Sequence, residues 1–276
     1  MTLQEQKIFF EEEGYLVVEN LLSPEELAEC QAEILRLHTL AAEFEAKGEN
    51  GHFQREPYAK NESQALGSRG IEDDRLPVLR KAENTRQYSE VFRRLSVHPK
   101  LIQVVQNLIG QDLLLFRSTL MFKPAFHGSA HGIHQDSAYW PMEPPRLVTV
   151  SIALNDATPE NGCFKVIPQS HKWGLQSWGH IARKQDESLT DHEDRDFSEQ
   201  IDVPLSAGSA LFFHSLMAHG SGPNRSPNPR NTALYAYFSP QVRYVPRNGK
   251  PERKSFPVAA GLDGKAELTL VAEGAQ

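Results

Sequence analysis

The sequence contains few cysteines, no long apolar run and no excess of basic residues. Cys30 and Cys163 are the only cysteines in 276 residues, and they lie far apart outside any C-x-x-C pair. A disulfide framework is therefore not expected, and a reducing compartment is the natural setting. No segment approaches the ~18–20 apolar residues that span a bilayer, so no membrane partner is expected.

The charge balance excludes a second group of functions. The chain carries 29 basic and 36 acidic residues and a formal net charge of −7. Nucleic acids and anionic membranes attract basic surfaces, so neither is expected as a partner. The first residues lack the basic and apolar segments of a signal peptide, and the last four carry no peroxisomal or endoplasmic-reticulum address. A cytoplasmic protein of unknown oligomeric state is therefore predicted.

The first 110 residues predict mainly helices. Thr2 and Ser23 each stand three positions before a glutamate, which is the spacing of a capping box. Proline follows Ser23 at the first helical position, and Gly14 and Gly110 are expected to end helices. The expected helices are 2–10, 24–47, 87–95 and 99–108, with a strand at 15–18 and a loop at 48–75.

From Asp112 the spacing of apolar residues changes from a period of 3.6 to a period of 2, which is typical of strands. The predicted strands are 113–121, 147–154, 163–167, 210–214 and 232–238. Helices followed by many short strands indicate a mainly β fold with flanking helices, either a sandwich or a barrel. The chain is interpreted as one domain, 1–276, with a helical flank at 1–110, a β core at 111–245 and a C-terminal extension at 246–276.

The segment 185–202 has an unusual charge. It holds eight acidic residues and one arginine, and few apolar side chains that would anchor it. Such a segment buries too little apolar surface to offset the conformational entropy that it loses when it becomes ordered. It is therefore predicted to be a solvated loop between strands that orders only when a substrate binds.

The pattern His134-Gln135-Asp136, followed by His219 and Arg230, indicates the chemistry. Two imidazoles and a carboxylate suit a ferrous ion, because three ligands on one face leave three adjacent positions for substrates. On a strand, His134 and Asp136 project from the same face while Gln135 points away. The third ligand comes from a strand that is distant in sequence. Arg230 adds a planar, permanently charged group that suits a carboxylate.

Other histidines and another metal compete with this interpretation. His214 also ends a predicted strand, but it is expected to be a core histidine with a local hydrogen bond. His131 precedes His134 by three residues and is expected on the opposite face of the strand, although it could line the mouth of the site. His127 is expected to take no part. Zinc accepts the same ligands, but a zinc site would not account for the presence of Arg230.

Several sequence blocks between about residues 112 and 245 resemble one enzyme family. The blocks are HQDSAYWP at 134–141, NGC at 161–163, PQSHK at 168–172, FFH at 212–214 and HGSGPN at 219–224, with an arginine at 230. They are similar to the phytanoyl-CoA dioxygenase family of iron(II)- and 2-oxoglutarate-dependent oxygenases. Gln169 stands where this family usually has glycine.

The resemblance implies a fold and a reaction. The fold would be a double-stranded β-helix, or cupin-like jelly roll, that binds Fe(2+) and 2-oxoglutarate with O2 as co-substrate. The reaction would be hydroxylation of a small-molecule or acyl substrate, with release of succinate and CO2. The sequence does not identify the substrate. A non-catalytic metal-binding jelly-roll protein and a cupin-like metalloenzyme of another class, such as an isomerase or a zinc hydrolase, remain as alternatives.

The resemblance also assigns roles to individual residues. The implied iron ligands, which form the catalytic centre, are His134, Asp136 and His219. The implied contacts to 2-oxoglutarate are Arg230, Ser221, Gln135 and Lys81. Lys81 is placed by a loose alignment through the segment Glu90-Val91-Phe92-Arg93.

Overall fold

A computed structural model of the protein describes residues 1–49, 51–56, 76–178, 197–246 and 249–272. Within these ranges the helices are α1 (Leu3–Glu13), α2 (Pro24–Ala46), α3 (Thr85–Tyr88), α4 (Glu90–Leu95) and α5 (Pro99–Ile109). The strands are β1 (Tyr15–Val18), β2 (Phe53–Arg55), β3 (Leu79–Glu83), β4 (Leu113–Lys123), β5 (His131–His134), β6 (Met142–Glu143), β7 (Leu147–Ala153), β8 (Phe164–Val166), β9 (Ile201–Val203), β10 (Ala210–His214), β11 (His219–Ser221), β12 (Arg230–Phe238), β13 (Arg243–Tyr244), β14 (Glu252–Ala260) and β15 (Glu267–Ala272).

Helices α1 and α2 begin at the two predicted capping boxes. Thr2 and Ser23 each accept a hydrogen bond from the backbone of the glutamate three positions on, and that glutamate accepts one in return. Gly14 ends α1 with a φ of 81°, a conformation that glycine adopts without strain. The helix predicted at 87–95 is two short helices instead, because Ser89 is extended and caps α4 with its hydroxyl.

The larger sheet runs in the order β1-β10-β7-β12-β4-β14-β15, and β3 pairs with β4 and β2. Alternate side chains along its strands, such as Val150 and Tyr235, join those of α2 and α5 in one buried core. The positions between them point to the opposite face of the sheet. The helices therefore cover one face, and the other face is left to form the wall of a cavity.

The smaller sheet runs in the order β5-β11-β8-β9. Its strands and those of the larger sheet are antiparallel to their neighbours, and side chains of both sheets line one cavity. The two sheets form the core of a jelly roll. The predicted mainly β fold with flanking helices is confirmed.

Parts of the fold differ from the sequence prediction. Strand β2 lies inside the predicted loop 48–75, of which 57–75 lie outside the described residues. Strand β3 has the charged sequence LRKAE, which carries no apolar alternation and is not among the predicted strands. Strand β14 pairs with β4 and β15, so the C-terminal segment contributes strands to the larger sheet.

The acidic segment 185–202 is described only at its end. Residues 185–196 lie outside the described residues, and the prediction of a solvated loop stays a prediction for them. Strand β9 begins at Ile201, so the last two residues of the segment are in a strand that pairs with β8. Among the described helices, none has both the length and the apolar content that crossing a bilayer requires.

Candidate metal centre

Strands β5 and β11 bring His134 and His219 together. The two residues are directly paired across the strands, and their rings lie 4.4 Å apart between centroids. Nδ1 of His134 is 2.7 Å from the carbonyl oxygen of Gly132, and Nδ1 of His219 is 2.9 Å from that of Met217. A carbonyl oxygen only accepts, so both Nδ1 atoms carry the proton. Each Nε2 is thus left with a free lone pair, as a metal ligand requires.

Asp136 completes the cluster from a position just after strand β5. The strand ends at His134, and a short 3-10 turn begins at Asp136, so the carboxylate is not on the strand as predicted. The backbone of Gln135 is still extended, and this keeps His134 and Asp136 on the same side. Oδ1 of Asp136 lies 3.6 Å from Nε2 of His134 and 4.0 Å from Nε2 of His219.

The three ligand atoms lie within 4.8 Å of one another, in a largely buried position. Burial raises the pKa of Asp136, but the contacts with His134, His219 and Thr149 outweigh it and lower the pKa to about 2. Burial and the nearby His134 lower the pKa of His219 to about 4. At neutral pH the site therefore presents a carboxylate and an uncharged imidazole, which are the forms that bind a metal. Two nitrogens and one oxygen facing a cavity fit a ferrous ion with open positions.

His214 does not take part in this cluster. The backbone N–H of Leu216 donates to its Nδ1 at 3.0 Å, and its ring packs against the rings of Phe10 and His171. His214 is therefore a core histidine with a local hydrogen bond, as predicted. Burial, followed by the nearby His171, lowers its pKa to about 4.

The largely buried position of His214 predicts how stability depends on pH. Its folded pKa lies below the ordinary value of 6.5, so the unfolded chain binds the proton more tightly. Its contribution to stability is complete above pH 6.5 and is lost as the pH falls from 6.5 to 4, by about 3 kcal/mol in all. Urea unfolding of the metal-free protein at several pH values measures this loss. His214→Gln should show a shallower dependence in this range, and parallel curves for the two proteins would contradict the prediction.

His131 lies in the cavity, and the prediction that it faces away from His134 was wrong. The pairing of β5 with β11 shifts between His219 and Ser221, so Gly132 and Ile133 of β5 lie opposite the single residue Gly220 of β11. This bulge turns His131 to the same side as His134, with 4.9 Å between the ring centroids. Close approach of the strands also explains Gly220, because a Cβ there would meet the carbonyl oxygen of His131 at 2.8 Å.

A cavity of about 460 Å³ extends from the metal ligands between the two sheets. Arg230 is one of its lining residues and is only 3 % exposed. Its Nε has no hydrogen-bond partner, and its guanidinium lies over the ring of Phe164 at 4.8 Å. Burial lowers the pKa of Arg230 to about 10, so it stays charged at neutral pH. A buried cation whose Nε makes no hydrogen bond is costly, and this one is suited to an anion inside the cavity.

Two further residues predicted to contact a co-substrate line the same cavity. Ser221 follows His219 on β11 and faces the same side of that strand. Lys81 lies on β3, pairs with Glu83, and has its pKa lowered mainly by burial. The structure thus brings Lys81, Ser221 and Arg230 into one space with the metal ligands.

The side chain of Gln135 does not reach this space. Its amide nitrogen donates to the carbonyl oxygens of Gly174 and Leu216, and its oxygen accepts from the backbone of Gln176 and from the indole of Trp178. All of its hydrogen-bonding groups are thus used by protein partners. The predicted side-chain contact of Gln135 with a co-substrate is corrected: this side chain fixes the segment after residue 173.

The sequence analysis missed several residues of the site. Thr149 donates a hydrogen bond to Oδ2 of Asp136 at 2.8 Å and so orients the carboxylate. Lys123 is paired with Arg230 across β4 and β12, and Arg117 also lines the cavity. Alternation along β4 and β7 places these residues on one face, but only the register between strands shows which face is inside.

A jelly roll with two histidines and an aspartate at one end of a cavity is the architecture of iron- and 2-oxoglutarate-dependent oxygenases. The family model described as phytanoyl-CoA dioxygenase (PhyH) matches residues 10–232. The chain belongs to the phytanoyl-CoA dioxygenase family.

Relatives and solved structures agree with this assignment. The peroxisomal phytanoyl-CoA dioxygenase of Rattus norvegicus is 28 % identical over 254 residues, covering 89 % of this chain and 71 % of the relative. The ectoine dioxygenase of Nocardia farcinica is 29 % identical over 251 residues, covering 85 % of this chain and 77 % of the relative. The crystal structure of EctD from S. alaskensis with 2-oxoglutarate and 5-hydroxyectoine has a TM-score of 0.69 at 25 % identity, over 87 % of this chain and 77 % of that one.

Proposed function

We propose that this protein uses iron(II), 2-oxoglutarate and O2 to hydroxylate a small-molecule substrate, with release of succinate and CO2. One observation supports this most strongly: the His-Asp-His cluster and Arg230, whose Nε makes no hydrogen bond, lie in the same cavity. A metal and a guanidinium in one cavity suit a dianion that needs charge neutralisation at both of its ends. The relatives named above also act, by their names, on small molecules.

His134, Asp136 and His219 would hold the iron. The two Nδ1–H groups, each bonded to a backbone carbonyl oxygen, fix the orientation of the imidazole rings. The hydroxyl of Thr149 fixes the carboxylate in the same way. Such supporting hydrogen bonds keep ligand atoms in place and set which nitrogen faces the metal.

Arg230 would bind the far carboxylate of 2-oxoglutarate, and Ser221 and Lys81 would add contacts along the cavity. When bound, iron and 2-oxoglutarate supply the oxidising power, while the chain positions the reactants and excludes water. Phe164 and Phe213 line the cavity next to the metal ligands and keep this region apolar.

The proposal is tested by measuring succinate. Protein loaded with iron(II) and 2-oxoglutarate without oxygen is exposed to O2 in the presence of candidate small molecules. We expect succinate in step with the loss of 2-oxoglutarate, faster with a true substrate. Iron and 2-oxoglutarate binding with no succinate above a protein-free control would identify a non-catalytic metal-binding protein instead.

A reducing compartment such as the cytoplasm is proposed as the location. Cys30 and Cys163 are both buried and unpaired. Burial raises the pKa of Cys30 to about 12 and that of Cys163 to about 11, so both stay protonated and unreactive. Thiols of this kind are ordinary in reducing compartments.

A further inference from the structure

Arg117 lies in the cavity wall on the same side as the metal ligands. It is paired with Ala236 across β4 and β12, and Ala236 is paired with Thr149 across β12 and β7. Paired residues of antiparallel strands point to the same face, and neighbouring strands are ~4.8 Å apart, so Arg117 and Thr149 face the same space. Thr149 bonds to Asp136, and all three residues line the one cavity.

The guanidinium of Arg117 is held in a fixed orientation. Its Nε donates to the hydroxyl of Thr119 at 3.0 Å, and its Nη2 donates to Oε1 of Glu83 at 3.0 Å. Glu83 also forms an ion pair with Lys81. The carboxylate of Glu83 therefore pairs with both Lys81 and Arg117, and the group of these three residues keeps one net positive charge.

The proposed co-substrate does not neutralise this charge. Iron(II), the Asp136 carboxylate and 2-oxoglutarate together carry one net negative charge, which Arg230 balances. Lys123 lies six residues after Arg117 on β4 and donates to the carbonyl oxygens of Ser129 and Gly222, so it is not part of the group around Arg117. Among the described residues, Glu83 is the acidic group that pairs with Arg117 and with Lys81, so this group keeps one positive charge.

This excess charge discriminates between substrates. The side chain of Arg117 is 34 % exposed, so water solvates it while the cavity is open. A neutral substrate would displace that water and offer no counter-charge, which is unfavourable. A substrate with one negative charge would replace the water by a charge-assisted hydrogen bond.

We propose that the substrate to be hydroxylated is a small carboxylic acid whose carboxylate binds to Arg117, positioned by Glu83 and Thr119. This inference rests on the function proposed above. A planar guanidinium matches a carboxylate through two parallel hydrogen bonds, and one excess positive charge matches a single negative charge better than a doubly charged phosphate. Trp140 and Leu234 line the same cavity, so the rest of the acid is apolar or aromatic.

The probe is 3-phenylpropanoate, with 3-phenylpropanamide and 2-phenylethyl phosphate as matched comparisons. Each is titrated without oxygen into protein that carries iron(II) and 2-oxoglutarate, and the metal-to-ligand absorption band reports binding. We expect the acid to perturb the band in a saturable way and the other two compounds to bind at least tenfold more weakly. Arg117→Gln should raise the dissociation constant of the acid at least tenfold and leave that of 2-oxoglutarate unchanged.

The matched control is Arg243→Gln. Arg243 forms a similar pair with Glu143, at 2.9 Å between Nη2 and Oε2, but lies outside the cavity. This variant should bind the acid like the wild type. A band that forms normally in Arg117→Gln shows that this variant is folded.

The outcomes separate the two proposals. If no band forms in the wild type, the proposed function fails. If the band forms but does not respond to the acid, the inference about Arg117 is overturned. It is also overturned if the amide binds as tightly as the acid or if the phosphate binds more tightly. The same holds if Arg117→Gln binds the acid as tightly as the wild type does. Loss of the band on adding the acid would place the acid at the 2-oxoglutarate site and would also overturn it.

Discussion

His219→Ala is expected to abolish iron binding and turnover while the protein stays folded. The imidazole supplies one of three ligands, and two ligands hold a ferrous ion poorly. Changing a residue that only supports a ligand typically costs about 10–100-fold in metal affinity or activity, and loss of the ligand itself should cost more. His134→Ala and Asp136→Ala should behave in the same way. The fold should survive, because the three ligand side chains are polar groups whose burial contributes little to the stability of the protein.

The matched control for this experiment is His214→Ala. His214 is also a histidine at the end of a strand and is largely buried, but it contacts Phe10 and His171 and lies outside the cluster. Iron stoichiometry of protein loaded without oxygen, circular dichroism and succinate formation are measured for all variants. His214→Ala should retain iron although it loses stability. Full iron loading in His219→Ala, with loss in His214→Ala, would show that the third ligand is misassigned.

Much of the fold could be predicted from local patterns. The capping boxes at Thr2 and Ser23 mark the starts of α1 and α2, since the signal lies within four residues of sequence. The strand at 210–214 was predicted with the bounds that the structure has. Strand β3 could not be predicted, because Arg80 and Lys81 of this strand line a cavity. Its sequence therefore lacks the alternation of polar and apolar residues by which a strand is recognised.

The metal ligands could be predicted for a similar reason. His134 and Asp136 are only two positions apart in sequence, and the spacing of His219 and Arg230 matches a family pattern. The position of His131 depends on a bulge between β5 and β11, and no local pattern in the sequence indicates it. Arg117 and Thr149 are brought together by the pairing of β4, β12 and β7, which are distant in sequence. Long-range register therefore limits what a single sequence shows about the walls of the site.

Arg230→Ala is expected to weaken 2-oxoglutarate binding strongly without changing iron affinity. Loss of one partner of a buried, charge-assisted pair costs ~2–5 kcal/mol, which corresponds to about 30- to several-thousand-fold in affinity. Arg230 is suited to such a pair, since it is buried and charged and its Nε has no partner. Burial of this charge is costly and its Nε makes no hydrogen bond, so its removal should not lower the stability of the ligand-free protein.

Two comparisons make the Arg230 test specific. Arg225→Ala removes an exposed arginine from the loop just before β12, and it should leave 2-oxoglutarate binding unchanged. 2-Oxopentanoate retains the 2-oxo acid end of the co-substrate and lacks the far carboxylate. It should bind the wild type and Arg230→Ala equally, because the interaction that Arg230 supplies is absent in both cases. Titration of each acid against the metal-to-ligand absorption band, without oxygen, gives the dissociation constants. An unchanged constant for 2-oxoglutarate in Arg230→Ala, or an equal loss for both acids, would exclude Arg230 from binding the far carboxylate.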